Sequence, residues 1–73
     1  MNKRVKILTP EDFGLWIYNE MKNKGTKQAD LAKKIGLTEA AVCYYIKAKR
    51  FPRMNVLTRM LNKMGKHIEI VDD

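Results

Sequence analysis

Glycines at 25, 36 and 65 each close a stretch of helical patterning, and this punctuation restricts the chain to short helices joined by tight turns. A glycine just past the last periodic residue is a stop signal, because it enters the left-handed conformation without a Cβ penalty. The first helix is expected to start at Thr9-Pro10-Glu11-Asp12 and run to about Lys24. That start combines a hydroxyl for the N-cap, proline at the first helical position and acids facing the positive end of the dipole. A second helix opens at Thr26-Lys27-Gln28 and ends at Gly36, a third runs from about Thr38 to Lys47, and a fourth stops at Gly65.

Apolar periodicity gives each helix an inner face. Phe13, Ile17 and Met21, with Trp16 alongside, form a stripe on the first; Leu31, Ala32 and Ile35 line the second; Val56, Leu57, Met60, Leu61 and Met64 line the fourth. Trp16 has the chemistry of a base-stacking platform, but within a helical stripe the core role is favoured. The methionines of the fourth helix are read as core fillers ahead of an adaptable partner surface.

The two ends are patterned differently. Residues 3–8, Lys3-Arg4-Val5-Lys6-Ile7-Leu8, and residues 66–71, Lys66-His67-Ile68-Glu69-Ile70-Val71, alternate with period two and carry β-branched side chains. Both are expected as short strands, paired with each other or with a second copy of the chain. A bare two-stranded ribbon is marginal unless it packs on something. The expected fold is mainly α: four helices flanked by N- and C-terminal β-strands, in one domain spanning 1–73.

A chain of 73 residues buries too little surface to enclose a deep catalytic cleft beside a core, and chains of this size often complete their core by dimerising. Fifteen Lys and Arg against eight Asp and Glu leave a net charge of +7, which favours a polyanionic partner such as nucleic acid, with acidic phospholipid as the other candidate. The single cysteine, Cys43, forms no internal disulfide and belongs to no metal-ligand spacing, so no metal or cofactor is expected and a reducing cytoplasm fits. No apolar stretch approaches the ~20 residues of a membrane span, and the run after the basic start is too short for a signal peptide.

The third helix carries the strongest functional signal. At about 100° per residue, Glu39, Ala40, Cys43, Tyr44 and Lys47 share one side and Ala41, Val42, Tyr45 and Ile46 the other. The second set suits packing. The first suits a major groove: Tyr and Lys hydrogen-bond to base edges, Ala and Cys permit close approach to thymine methyls, and Glu accepts from cytosine. Lys27, Gln28, Lys33, Lys34, Lys49, Arg50 and Arg53 lie in the second helix, the basic loop and the start of the fourth helix. From there, cations reach the phosphates on either side of a docked helix. The bland alternative is an ordinary solvated helix face.

The run from Gln28-Ala29-Asp30-Leu31-Ala32 through Gly36-Leu37-Thr38-Glu39 to Val42, continuing ungapped to Lys49-Arg50-Phe51-Pro52, resembles the phage repressor and Cro-like helix-turn-helix family, also called the xenobiotic-response-element family. The resemblance covers about Phe13 to Gly65, and its specificity lies in the ordered set Gln28, Leu31, Ala32, Gly36, Val42, Lys49-Arg50 and Pro52. It implies a lambda-repressor-like four-helix bundle with a helix-turn-helix over about 27–48. It also implies that Gln28 anchors the second helix and bonds a phosphate, and that Thr38, Glu39, Ala40, Cys43 and Tyr44 face bases. Lys47 and Arg50 would contact the groove edge or backbone. Three positions depart from the family pattern. Ala48 stands where glycine is usual and is expected to prolong the third helix; Arg53 replaces a capping serine; Met21 replaces a common arginine.

The expected function is sequence-specific binding of double-stranded DNA by a bacterial or phage regulator acting as a homodimer, with half-sites about 34 Å apart. The alternative is an antitoxin-like module that masks a toxin partner and autoregulates through DNA. An enzyme is the weakest reading, since no phosphate loop, metal set or activated nucleophile is present. Cys43 as a redox switch and His67 as a metal ligand or pH sensor each lack a neighbouring group that would make the role specific.

Overall fold

The computed structural model describes residues 4–72. Four helices follow in order: α1 (Pro10–Lys24), α2 (Gln28–Ile35), α3 (Glu39–Ile46) and α4 (Met54–Lys63). The Thr9 hydroxyl accepts from the Asp12 amide while the Asp12 carboxylate accepts from the Thr9 amide, a reciprocal cap that fixes where α1 begins.

All four helices end alike. The amides of Thr26, Leu37, Lys49 and Lys66 donate to carbonyls five residues back, and those of Gly25, Gly36, Ala48 and Gly65 to carbonyls three residues back. This is the Schellman arrangement, which places one residue in the left-handed region. Glycine fills that place at 25, 36 and 65, and Ala48, at φ 59°, fills it after α3. The expectation that Ala48 prolongs the third helix is therefore corrected: α3 stops at Ile46, and Lys47 and Ala48 form the turn. The two hydrogen bonds of the motif, together with packing beyond it, outweigh a penalty of roughly 1–2 kcal/mol for an L-residue in this conformation.

Phe13, Ile17, Leu31, Ala32, Ile35, Val42, Leu57, Met60, Leu61 and Met64 form one buried cluster, with Trp16, Met21, Leu37, Tyr45 and Ile46 packed around it. The faces expected from periodicity are the faces that pack, except that Val56 stays half-exposed. Helix α3 lies against both α1 and α2, and α4 against α2. Gly14 sets the α1–α3 approach, because any Cβ there would stand 2.5 Å from the Ile46 carbonyl oxygen and 2.6 Å from that of Tyr45.

No strand forms among the described residues, which corrects the expectation of terminal β-strands; Lys3 lies outside those residues. The two arms do meet, through an ion pair between Arg4 and Glu69 at 3.5 Å. No backbone ladder joins them among the described residues. The physical reason is the absence of a surface to cover: Leu8 is 78% exposed and Ile70 99%. A buried side chain of this size contributes roughly 1.5–3 kcal/mol, and the arms forgo it.

Candidate nucleic-acid interface

Helices α2 and α3 are joined by Gly36, Leu37 and Thr38. Gly36 takes φ 75°, turning the chain, and Leu37 tucks against the core. Thr38 then caps α3, its hydroxyl oxygen accepting from the Ala41 amide at 3.1 Å. A second tie crosses between the helices: the Gln28 side-chain amide donates to the Glu39 carbonyl at 3.3 Å. The first residue of α2 thus holds the first residue of α3.

The two faces of α3 differ most at Val42, and Cys43 is covered to about the same degree as Ala41, Tyr45 and Ile46. Glu39, Ala40, Tyr44 and Lys47 are exposed and Cys43 half-exposed, whereas Val42 is fully buried and Ala41, Tyr45 and Ile46 are partly covered. Val42 and the partly buried Tyr45 anchor the helix from within, Tyr45 tilting against Phe13 with ring centroids 6.4 Å apart. Thr38, expected among the base-facing residues, is exposed and already engaged as a cap. Its hydroxyl oxygen accepts within the chain and its proton is left to donate.

The basic loop is pinned on both sides. Before it stands the Ala48 turn; after it, Phe51 packs on Phe13 with centroids 5.0 Å apart and Pro52 is buried. Between these anchors Lys49 and Arg50 are exposed, and the Arg50 guanidinium lies 4.9 Å from the centroid of the Tyr44 ring. The structure thereby brings Arg50 to the side chain at the centre of the candidate reading face.

The remaining cations occupy other elements. Lys33 and Lys34 are exposed in the last turn of α2, and Lys27 and Arg53 are the N-cap residues of α2 and α4. Neither cap makes a side-chain hydrogen bond, as expected for Arg53 from the missing serine. Gln28 is half-buried by its tie to Glu39.

Gly14 and Phe51 complete the arrangement, although sequence patterning assigns neither a role. An isolated glycine inside a helical stripe was the available signal, because glycine there costs ~1 kcal/mol relative to alanine and calls for a packing reason. Phe51 gave no comparable signal. Among the described residues no three His, Cys, Asp or Glu side chains gather as a metal site. Among the described residues no helix is long and apolar enough to cross a membrane.

The helix-turn-helix family model matches residues 17–71. No curated protein matches the chain. Among solved structures, a serine-to-alanine variant of HipB in complex with an O2 20mer superimposes with a TM-score of 0.77 at 21% identity, over 96% of this chain and 97% of that one. HipB in complex with an O4 20mer gives 0.75 at 21% identity, over 92% and 94%. A HipA-HipB-O2-O3 complex gives 0.74 at the same identity and coverage.

Proposed function

This chain belongs to the helix-turn-helix family, and we propose that it is a DNA-binding regulator that lays α3 in the major groove of a specific duplex. The observation that carries the reading is α3 itself. It is held from behind by Val42, from its start by Gln28 and Thr38, and across its back by the close approach of Gly14. An outward face of Glu39, Ala40, Cys43, Tyr44 and Lys47 remains for base edges. A net charge of +7 and exposed cations on α2, the loop and the α4 cap supply the phosphate grip.

In this reading Lys27, Lys33, Lys34, Lys49, Arg53 and the second amide proton of Gln28 contact the DNA backbone. Each phosphate neutralised steepens the salt dependence by about 0.9 in the log-log slope. Two copies on a two-fold operator would place both α3 helices on one side of the duplex, about 34 Å apart. Regulation then follows from occupancy, with no chemistry performed on the DNA, and the cytoplasm is the matching compartment.

A second reading adds a protein partner. Its support is the exposed apolar surface of the arms and outer α1, where Leu8, Leu15, Tyr18, Ile68 and Ile70 are uncovered, together with the likeness to a HipA-HipB complex. An antitoxin that masks a toxin and autoregulates through α3 would use both surfaces.

The test is a comparison of variants on specific and random duplexes at one stated salt concentration. Changing Tyr44 or Lys47 to alanine is expected to weaken specific binding more than random binding, and changing Lys34 or Arg53 to weaken both alike. Equal losses on both duplexes for the first pair would overturn the assigned face.

A further inference from the structure

Arg50 is set over Tyr44 by the backbone as well as by attraction between cation and ring. The Tyr44 carbonyl accepts the Lys49 amide at 2.9 Å, so the residue that carries the ring also holds the chain one position before Arg50. One position after it, Phe51 is fixed on Phe13. The guanidinium sits 4.9 Å from the ring centroid although both side chains are exposed, Tyr44 by 39%. Among the described residues Arg50 makes no hydrogen bond or ion pair, so its N–H donors are uncommitted.

This geometry separates Arg50 from Lys33, Lys34 and Arg53. Lys33, Lys34 and Arg53 stand on α2 and at the α4 cap, whereas Arg50 is held on the side chain at the middle of the reading face. A guanidinium over an aromatic ring keeps its planar fork of donors free at its edge, and that fork matches the O6 and N7 acceptors of guanine in the major groove. A lysine at the same place would still donate to these acceptors, but without a planar fork stacked on the ring.

We infer that Arg50 reads a guanine instead of gripping the backbone, and that Tyr44 acts on it as a positioning residue through its ring. The inference rests on the DNA-binding reading and assigns residue roles within it. Tyr44 and Arg50 form one recognition unit spanning α3 and the loop that follows it.

The test begins by selecting duplexes from a random pool with the whole chain at fixed salt. Wild type, Arg50→Lys, Tyr44→Phe and Tyr44→Leu are then titrated against the selected duplex and a random one. Further titrations use selected duplexes with single guanines replaced by 7-deazaguanine, which lacks the N7 acceptor. The expected result is that Tyr44→Phe loses clearly less than Tyr44→Leu. Tyr44→Leu and Arg50→Lys should each lose about tenfold on the selected duplex with little change on random DNA. One 7-deazaguanine should weaken wild type about tenfold and Arg50→Lys by much less.

Equal losses for Arg50→Lys on both duplexes, or no loss on either, would overturn the base-reading role. A Tyr44→Phe loss as large as that of Tyr44→Leu would overturn the platform role. A wild type that selects no motif would overturn the DNA-reading function itself, so failure of the inference and failure of that function are told apart. Retained binding to random DNA reports that each variant is folded.

Discussion

Gly14 lies so close to the Ile46 carbonyl that a Cβ on it would come within 2.5 Å of the oxygen, with the Tyr45 oxygen at 2.6 Å. Both contacts are to backbone, so no side chain can swing aside. Gly14→Ala would ordinarily gain roughly 0.5–1 kcal/mol in a helix interior, but here α3 must move. The expected outcome is a net loss of about 1–3 kcal/mol, the usual size of an overpacking penalty, measured by denaturant unfolding. Specific DNA binding should fall even under conditions where the variant is fully folded.

Ala48 gives a prediction of opposite sign. It occupies the left-handed position that glycine fills after the other three helices. Ala48→Gly should remove the strain at a smaller cost in unfolded-chain entropy, for a net stabilisation on the order of 0.5–1 kcal/mol. For a domain of this size that raises Tm by several degrees, since 1 kcal/mol corresponds to about 4–8 °C. A lowered Tm in a thermal melt would show that Ala48 Cβ contacts outweigh the strain.

Thr38 allows stability and binding to be moved independently. Its oxygen caps α3 through the Ala41 amide, and Thr38→Ala should cost about 1 kcal/mol. Thr38→Asp keeps a cap oxygen and adds a favourable charge at the helix start. It also puts a negative charge at the end of α3 that the proposed reading turns toward the groove. Equal or higher stability in melts, combined with a loss of about tenfold or more in DNA affinity at low salt, is the expected pairing.

The junction between the arms predicts a pH dependence. The Glu69 carboxyl is held below the usual carboxylate range, first by its hydrogen bond with His67 at 2.9 Å and then by the charges of Arg4 and His67. A depressed folded value means that the contact contributes fully above the ordinary glutamate value and is lost as pH falls through the lowered one. Because Glu69 is exposed, salt should weaken the effect. Side-chain NMR titration should place Glu69 below a free glutamate at low salt and move it upward as salt is added. Arg4→Ala should move it the same way.

How far the chain could be read in advance depended on how local each determinant is. Thr9-Pro10, Gly25, Gly36 and Gly65 carry their conformation in their own chemistry, and the helix ends follow from them. The apolar stripes from Phe13 to Met64 predicted the buried cluster because helical periodicity alone decides which side faces inward. Ala48 departs from its sequence expectation because nothing in an alanine announces a positive φ; the turn is imposed by two hydrogen bonds and by Phe51 docking beyond it. The alternating arms depart from their strand expectation because alternation gives strand preference but supplies no neighbour, and Ile70 finds no apolar surface to cover within the chain. The exposed face from Glu39 to Lys47 was legible from spacing, while Gly14 and the stacking of Arg50 on Tyr44 arise only where distant segments meet.

The hydrogen bond from Gln28 to the Glu39 carbonyl has an evolutionary corollary. A side chain that aligns two helices constrains how a descendant sequence can change its target. Altering Gln28 would loosen the start of α3 and disturb its proposed base contacts together. Exchanges at Ala40, Cys43 or Tyr44 would alter contacts locally and leave the frame intact. New operator preferences should therefore accumulate on the outer face of α3 while Gln28 stays fixed, and a library randomised at those three positions should yield far more functional readers than one randomised at Gln28.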